Sequence, residues 1–261
     1  MRPVPPGPAP ASGGLPRRPR AILFDVYGTL LVRSGRRSRG VLSVPGMTTS
    51  VITRHGLAST APEIASALKQ AIAEEHAAQR TRGVRHPEVR IECIWERLFP
   101  RREEEEYRLL AAAWETAERP VLPARGCRRL LGRLRRMELA LGIVSNAQSY
   151  TPLVFAAMLG GRPEDIGFSR ELCIYSFEHG IAKPAGDLFQ LAAERLAGMG
   201  IAKEQAVMVG NDPVADIAPA ARCGFMTVHV LGGSGGGVES GADATIGRLA
   251  DLDALLGGCR R

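Results

Sequence analysis

The sequence predicts an α/β protein: a doubly wound, Rossmann-like parallel sheet core with an inserted all-helical domain. Three observations predict this class. Short apolar runs that end in polar residues alternate with helical patterns from about residue 121 onward, which is typical of parallel strands joined by right-handed crossovers. A further apolar run, AILF at 21–24, comes far earlier in the chain. Between the two, residues 36–120 show helical periodicity and no convincing strand.

The first 19 residues are rich in proline and glycine and contain few residues that could form a core. Such a segment cannot bury enough apolar surface to offset the entropy lost on ordering it. Residues 1–19 are therefore predicted to be a disordered Pro/Gly/Arg-rich tail. The sheet core is expected to take residues 20–35 and 121–261, on either side of the inserted helices at 36–120.

The inserted segment contains three amphipathic helical patterns, at 62–80, 89–99 and 103–118. The third begins with four acids, which favour a helix amino terminus through the helix dipole. Trp95 and Trp114 stand at helical spacing and are interpreted as part of the hydrophobic core of this segment.

The net charge of +7 comes from an excess of arginines near the amino terminus. Residues 1–45 hold eight arginines against one acid, Asp25, which leaves 26 basic and 26 acidic residues in the remainder. No aromatic residues or reading motif accompany these arginines, so no nucleic acid partner is expected. The arginines that follow residue 32 are interpreted as a solvated flap or as contacts to an anionic substrate: Arg33, Arg36, Arg37 and Arg39.

Five cysteines stand far apart and include no CxxC pair, which indicates reduced thiols rather than a closed disulfide set. No apolar run reaches the roughly 18 residues that a membrane-spanning helix needs. A cytoplasmic location without membrane contact is therefore expected. No pattern indicates the oligomeric state.

Polar residues follow three of the predicted strands. They are Asp25, the pair Ser145 and Asn146, and the pair Asn211 and Asp212. Open parallel sheets bind their ligands beyond the carboxyl ends of the strands. We therefore expect these side chains to form one site.

Four short motifs occur in order: DVYGTL at 25–30, IVSN at 143–146, IAKP at 181–184 and VGNDPVAD at 209–216. Together they resemble the motifs of the haloacid dehalogenase-like (HAD) hydrolase superfamily. The resemblance covers about residues 20–35 and 121–256. The inserted helices resemble the α-helical cap domain of that superfamily.

The resemblance implies the roles of individual residues. Asp25 would be the nucleophile and a Mg²⁺ ligand, and the backbone carbonyl of Tyr27 would be a second ligand. Lys183 would balance charge on Asp25 and on the transferred group. The remaining contacts to that group would come from Thr29, Ser145 and the backbone near Asn146. Magnesium suits such a site because it prefers hard oxygen ligands and retains waters.

The fourth motif does not settle which of its residues would bind the metal. Asp212 and Asp216 lie one helical turn apart if a helix starts at Pro213, and both are assigned to the metal site. Asn211 occupies the position after Gly210, and whether it replaces one of the acids stays open. Asp212 would alternatively cap the following helix, since Asp before Pro is a common cap.

Tyr27 stands where phosphatases of this superfamily carry a second aspartate that acts as acid and base. A phenol with a pKa of about 10 is a poor base near neutrality. The preferred interpretation is a Mg²⁺-dependent phosphatase that acts on a small phosphorylated metabolite through an aspartyl-phosphate on Asp25. The alternatives are a 2-haloacid dehalogenase-type hydrolase, whose branch of the superfamily carries tyrosine here, and a weakly catalytic phospholigand-binding member.

Overall fold

The computed structural model describes residues 12–33, 47–232 and 240–258. These residues form a sheet of seven strands in the order β1-β9-β8-β7-β2-β5-β6, and a separate pair, β3-β4. The strands are β1 (Ser12–Gly13), β2 (Ala21–Phe24), β3 (Leu31–Arg33), β4 (Val121–Pro123), β5 (Ala140–Ser145), β6 (Phe168–Tyr175), β7 (Ala206–Gly210), β8 (Met226–Val230) and β9 (Ala244–Ile246).

Helices cover both faces of the sheet and fill the inserted segment. The α-helices are α1 (Met47–Arg54), α2 (Ala61–Thr81), α3 (Ile91–Leu98), α4 (Glu104–Glu118), α5 (Cys127–Leu134), α6 (Thr151–Leu159), α7 (Ser176–His179), α8 (Asp187–Gly198), α9 (Ala218–Cys223) and α10 (Leu252–Gly257). A π-helical turn, Pro213–Ile217, precedes α9. No helix among these residues is long and apolar enough to cross a membrane.

The six strands from β9 to β6 are parallel, so the predicted α/β, Rossmann-like class is confirmed. Strand β2 lies at the centre with all four residues buried. Successive side chains point to opposite faces, where Ile22 and Phe24 join one apolar cluster and Ala21 and Leu23 join another.

The register of the central strands places their carboxyl ends next to one another. Phe24 pairs with Ile143 of β5 and with Val209 of β7. The residues that follow these three strands therefore emerge at one edge of the sheet. This alignment places the first, second and fourth motifs side by side.

The inserted helices lie between β3 and β4, which pair antiparallel with Arg33 opposite Val121. The chain thus leaves the sheet and returns to it along neighbouring paths. Trp95 and Trp114 are both buried, and their rings make an edge contact with centroids 5.7 Å apart. They belong to the core of the helical segment, as the helical spacing indicated.

A short backbone pairing joins the helical segment to the sheet core. The Glu88 amide donates to the Gly180 carbonyl at 3.0 Å, and the Ala182 amide donates to the His86 carbonyl at 2.8 Å. We call this pairing of residues 86–88 with 180–182 the clasp. It ends one residue before Lys183.

Several elements differ from the sequence expectations. Residues 12–19 are not wholly irregular, because Ser12–Gly13 pairs with β9 and Leu15 packs against the core. The helix expected to begin at Lys183 begins at Asp187. Other expectations lie outside the described residues: those for residues 1–11, the start of the helical segment at 36–46, Arg36, Arg37, Arg39 and Cys259.

Candidate active site

Asp25 follows β2 directly and is only 6% exposed. Its Oδ1 accepts hydrogen bonds from Ser145 Oγ and from Lys183 Nζ, both at 2.9 Å. Among the described residues, every hydrogen bond to this carboxylate falls on Oδ1. The second oxygen, Oδ2, therefore keeps its lone pairs for another partner, as a nucleophile requires.

Lys183 is the centre of a buried ion cluster. Its ammonium donates to Asp25 Oδ1 at 2.9 Å, to Asp216 Oδ1 at 2.5 Å and to the Val144 carbonyl at 2.9 Å. An ammonium has three donors, so all are used. Burial alone would lower the pKa of Lys183, but the attraction of Asp25 and Asp216 outweighs burial and raises it. Lys183 therefore remains a fixed positive charge.

Asn146 holds the backbone of Lys183 from both sides. Its Nδ2 donates to the Lys183 carbonyl at 3.0 Å, and its Oδ1 accepts from the Lys183 amide at 2.7 Å. The sequence assigned Asn146 to the substrate. The structure gives its side chain a positioning role, because both polar ends of the amide are engaged with the lysine backbone.

Asp216 is buried beneath the strand ends. Its Oδ1 accepts from Lys183, and its Oδ2 accepts from the Asp212 amide at 3.0 Å. Desolvation raises the pKa of Asp216 to about 6, although the Lys183 charge opposes the shift. A Cβ at Gly210 would lie 2.4 Å from this side chain, so only glycine fits there.

Asp212 has backbone partners at the start of the π-helical turn. Its Oδ1 accepts from the amides of Val214 and Ala215 at 2.8 and 2.9 Å, which makes Asp212 the cap of the π-helical turn. Asp212 is exposed, whereas Asp216 is buried. The helix-cap alternative describes this residue, and the two acids do not share one environment.

Asn211 is the residue of the fourth motif that faces the first motif. Its Oδ1 accepts from Thr29 Oγ1 at 3.2 Å. Gly28 has φ +101°, and a Cβ there would lie 2.3 Å from Asn211 Oδ1. The glycine therefore supplies both the left-handed turn and the space for the asparagine.

The environment of Tyr27 does not favour a role in acid–base catalysis. Its hydroxyl shares a 3.1 Å hydrogen bond with Thr151 Oγ1 at the start of α6. Burial raises the pKa of Tyr27 to about 12, because the phenolate would lose its hydration. The side chain is a neutral phenol at any physiological pH.

A cavity of about 460 Å³ opens beside this cluster. Tyr27, Gly28 and Asn211 line its inner end, and Arg33 and Arg119 line it from β3 and from the residue after α4. Arg119 also pairs with Glu115 at 3.3 Å. Two guanidinium groups against one carboxylate give the cavity a positive bias that suits an anionic substrate.

Metal-ligating side chains are sparse at the site. Within the described ranges, no group of three or more His, Cys, Asp or Glu side chains is placed to hold a metal ion. Hard oxygens that remain near the motif-one loop are Asp25 Oδ2, the Tyr27 carbonyl and Asn211 Oδ1. One carboxylate with neutral oxygens fits Mg²⁺ only where substrate and waters supply the other ligands.

The structure thus brings together six of the residues that the sequence singled out, in two connected groups. Ser145, Asp25, Lys183 and Asp216 form one chain of hydrogen bonds, and Thr29 joins Asn211 beside it. Sequence reasoning missed Thr151, which holds Tyr27, and Arg119, which lines the cavity. Neither carries a spacing signal, because each reaches the site only through the packing of α6 and α4.

Comparison with known proteins agrees with this geometry. The model of the family described as "haloacid dehalogenase-like hydrolase" matches residues 19–224. The chain therefore belongs to the haloacid dehalogenase-like hydrolases, and it is a hydrolase by family. No curated protein matches its sequence.

Solved structures of similar fold include both dehalogenases and phosphatases. A 2-haloacid dehalogenase from Pseudomonas syringae pv. Tomato DC3000 has a TM-score of 0.60 at 20% identity, over 91% of this chain and 98% of its own. A HAD phosphatase from Thermococcus onnurineus has a TM-score of 0.56 at 21% identity, over 93% and 100%. The HAD-hydrolase YfnB from Bacillus subtilis, bound to magnesium, has a TM-score of 0.54 at 20% identity, over 92% and 100%. At these identities the likeness concerns the fold alone.

Proposed function

We propose that this chain hydrolyses a small anionic substrate through a covalent intermediate on Asp25, and that the leaving group departs without a proton. One observation carries the proposal. Asp25 Oδ1 is held by Ser145 and Lys183, which leaves Oδ2 to attack. The neighbouring Tyr27 is a phenol with a pKa of about 12 and cannot act as a base.

The first candidate is a phosphatase for phosphates with acidic leaving groups, such as acyl phosphates, anhydrides and aryl phosphates. Asp25 Oδ2 would form a bond to phosphorus while the bond to the leaving oxygen breaks, and that oxygen would depart with the electron pair. Water would then attack the phosphorus of the aspartyl-phosphate, releasing phosphate and restoring Asp25. The cavity arginines, Arg33 and Arg119, support an anionic substrate.

Magnesium would be held in this reaction by the Asp25 carboxylate, the Tyr27 carbonyl and Asn211 Oδ1, with Asp216 behind them. The Oδ1 of Asp212 caps the π-helical turn, so only its Oδ2 would remain for the ion. When bound, the ion would neutralise charge on the phosphoryl oxygens. Lys183 would hold Asp25 in place with or without the ion.

The second candidate is 2-haloacid dehalogenation, and Tyr27 favours it. Asp25 Oδ2 would form an ester bond to the carbon that bears the halogen, and halide would leave with the bonding electrons. Water would then hydrolyse the ester to a 2-hydroxy acid. Halide needs no proton, so an inert phenol beside the nucleophile is no handicap.

The deciding experiment compares two substrates with and without metal. Phosphate release from p-nitrophenyl phosphate would be measured with Mg²⁺ present and in EDTA. Chloride release from 2-chloropropionate would be measured in the same buffers. Mg²⁺-dependent phosphate release supports the first candidate, and metal-independent chloride release supports the second.

Two variants make the assay specific for the site. Asp25→Asn should abolish either activity, because an amide is not a nucleophile here. Asp187→Asn changes an exposed acid at the start of α8 and should leave the rate unchanged. Absence of both activities, with thermal stabilisation by phosphate, would show a phospholigand-binding member instead.

A further inference from the structure

A second cavity, of about 550 Å³, lies between α5 and the segment that follows β9. It shares no lining residue with the cavity beside Tyr27 and Asn211. Four arginines line it, together with a single acid, Asp253. We call this cavity the arginine cleft, and its arginines are Arg125, Arg129, Arg133 and Arg248.

The charges of the arginine cleft do not balance within the described part of the chain. Arg133 pairs with Asp253 at 2.7 Å, and Arg248 pairs with Asp251 at 3.3 Å. Within residues 12–33, 47–232 and 240–258, no carboxylate forms a salt bridge with Arg125 or Arg129. Two exposed guanidinium groups therefore face the cleft without an anionic partner.

The position of two of these arginines on α5 is unfavourable in the free protein. Arg129 and Arg133 stand four residues apart on one side of the helix, where like charges repel one another, and Arg125 precedes the helix. Arg129 also lies in the first turn, which contains no acid and where the helix dipole disfavours cations. An anion in the cleft would reverse both effects.

The backbone brings the two walls of the cleft close together. Gly126, with φ +82°, precedes α5, and a Cβ there would lie 3.0 Å from the Cβ of Ala250. The start of α5 can approach the 248–253 segment because this residue is glycine. Arginines from both walls thereby face one concave space.

We propose that the arginine cleft binds the linked phosphate groups of a small polyanion, at a site separate from the catalytic cavity. Arginine forks match phosphate oxygens in pairs, and linked phosphates offer several such edges at once. A volume of about 550 Å³ lies in the range of small-ligand sites. Asp253 on one wall would repel an extended nucleic acid backbone, so a compact ligand is favoured.

The test measures binding of tripolyphosphate and of ATP to the full chain by calorimetry at constant ionic strength. The double variant Arg125→Ala/Arg129→Ala should weaken tripolyphosphate binding at least tenfold. The matched control Arg54→Ala/Arg80→Ala removes two arginines of the helical segment and should change the affinity less than twofold. Tighter binding of ATP than of tripolyphosphate would identify a nucleotide as the ligand, and equal binding would identify the phosphate chain itself.

Two further variants separate this site from the catalytic one and from misfolding. Asp25→Asn cannot turn over tripolyphosphate, which is itself an anhydride, and should keep the binding that Arg125→Ala/Arg129→Ala loses. Arg129→Lys keeps the charge but loses the paired donors, and its affinity should fall between those of the unaltered chain and the double variant.

Three results would overturn the proposal. The first is equal affinity in the unaltered chain and in the folded double variant, with binding lost in Asp25→Asn, which would place the ligand in the catalytic cavity. The second is the absence of tripolyphosphate binding. The third is binding of a single-stranded oligonucleotide without binding of either small polyanion, which would indicate a nucleic acid surface.

Discussion

The ammonium of Lys183 and the carboxylate of Asp25 form a buried ion pair at 2.9 Å across 158 positions of the sequence. Lys183 also contacts Asp216, so one positive charge stands between two acids. The charges at this edge of the sheet are therefore balanced in part by the chain itself.

Removal of the ammonium should destabilise the fold as well as the site. We expect Lys183→Met to abolish turnover and to lower the free energy of unfolding by about 3–5 kcal/mol, because it leaves buried carboxylates unpaired. Urea unfolding followed by circular dichroism measures the change. Lys203→Met, at an exposed lysine, is the control, and a loss below about 1 kcal/mol in Lys183→Met would contradict a paired cluster.

Tyr27 should be dispensable for chemistry on good leaving groups. Tyr27→Phe removes only the hydrogen bond to Thr151, so the rate with p-nitrophenyl phosphate or 2-chloropropionate should stay within about tenfold. Tyr27→Asp should raise turnover of an alkyl phosphate by supplying an acid at this place. Steady-state kinetics on both substrates measures this, and loss of all activity in a folded Tyr27→Phe protein would show that the hydroxyl takes part.

Asp216 should make stability depend on pH. Its pKa is raised from 3.8 to about 6 in the folded chain, so the folded state binds the proton more tightly. Its contribution to the free energy of unfolding is full below about pH 4 and is lost as pH rises through about 6, by up to about 3 kcal/mol. Urea unfolding at pH 4.5 and 7.5 tests this against Asp216→Asn, which cannot titrate. If the difference in free energy of unfolding between the two proteins is the same at both pH values, the raised pKa of Asp216 is refuted.

Gly28 should tolerate no side chain. Gly28→Ala places a Cβ against Asn211 in a left-handed turn, and we expect a loss of about 2–4 kcal/mol with reduced activity. Gly56→Ala is a matched control, since Gly56 also has positive φ but open space around its Cβ position. Thermal unfolding compares the two. If both variants lose the same stability, the contact with Asn211 is unimportant; if Asn211→Ala restores Gly28→Ala in part, the contact is the cause.

The hydrogen bonds of Glu88 should hold the helical segment to the sheet core. Its carboxylate accepts from Val89, Gln148 and Ser176 at 3.0, 3.0 and 2.7 Å. Glu88→Gln keeps the shape but replaces one acceptor with a donor, and should speed amide exchange across residues 84–91 about tenfold. Glu75→Gln, within α2, is the control. Unchanged exchange in Glu88→Gln would mean that other contacts hold the segment.

Much of the fold follows from patterns that act locally. Apolar runs with polar ends specify buried parallel strands, and the parallel register then brings Asp25 and Ser145 to one edge. Lys183 was recognised from its motif, although its helix starts four residues later than expected at Asp187. The sheet could be predicted because strand burial depends on composition over only a few residues.

The details of the fourth motif could not be predicted from spacing. Asp212 and Asp216 would share a face in an α-helix that starts at Pro213, but that turn is π-helical and Asp212 caps it. The sequence alone does not distinguish a helix cap from a metal ligand, because an aspartate before proline is compatible with both uses. Contacts such as Tyr27 with Thr151 depend on how α6 packs, and no local pattern encodes that packing.

The clasp ends beside Lys183, and this position has a mechanical consequence. Residues 180–182 bond to the helical segment, and the next residue carries the ammonium that contacts Asp25. Separating the helical segment from the sheet core at this border would break the two backbone hydrogen bonds that hold residues 180–182. In the proposed reaction, access of the substrate and alignment of Asp25 would therefore depend on the same backbone pairing.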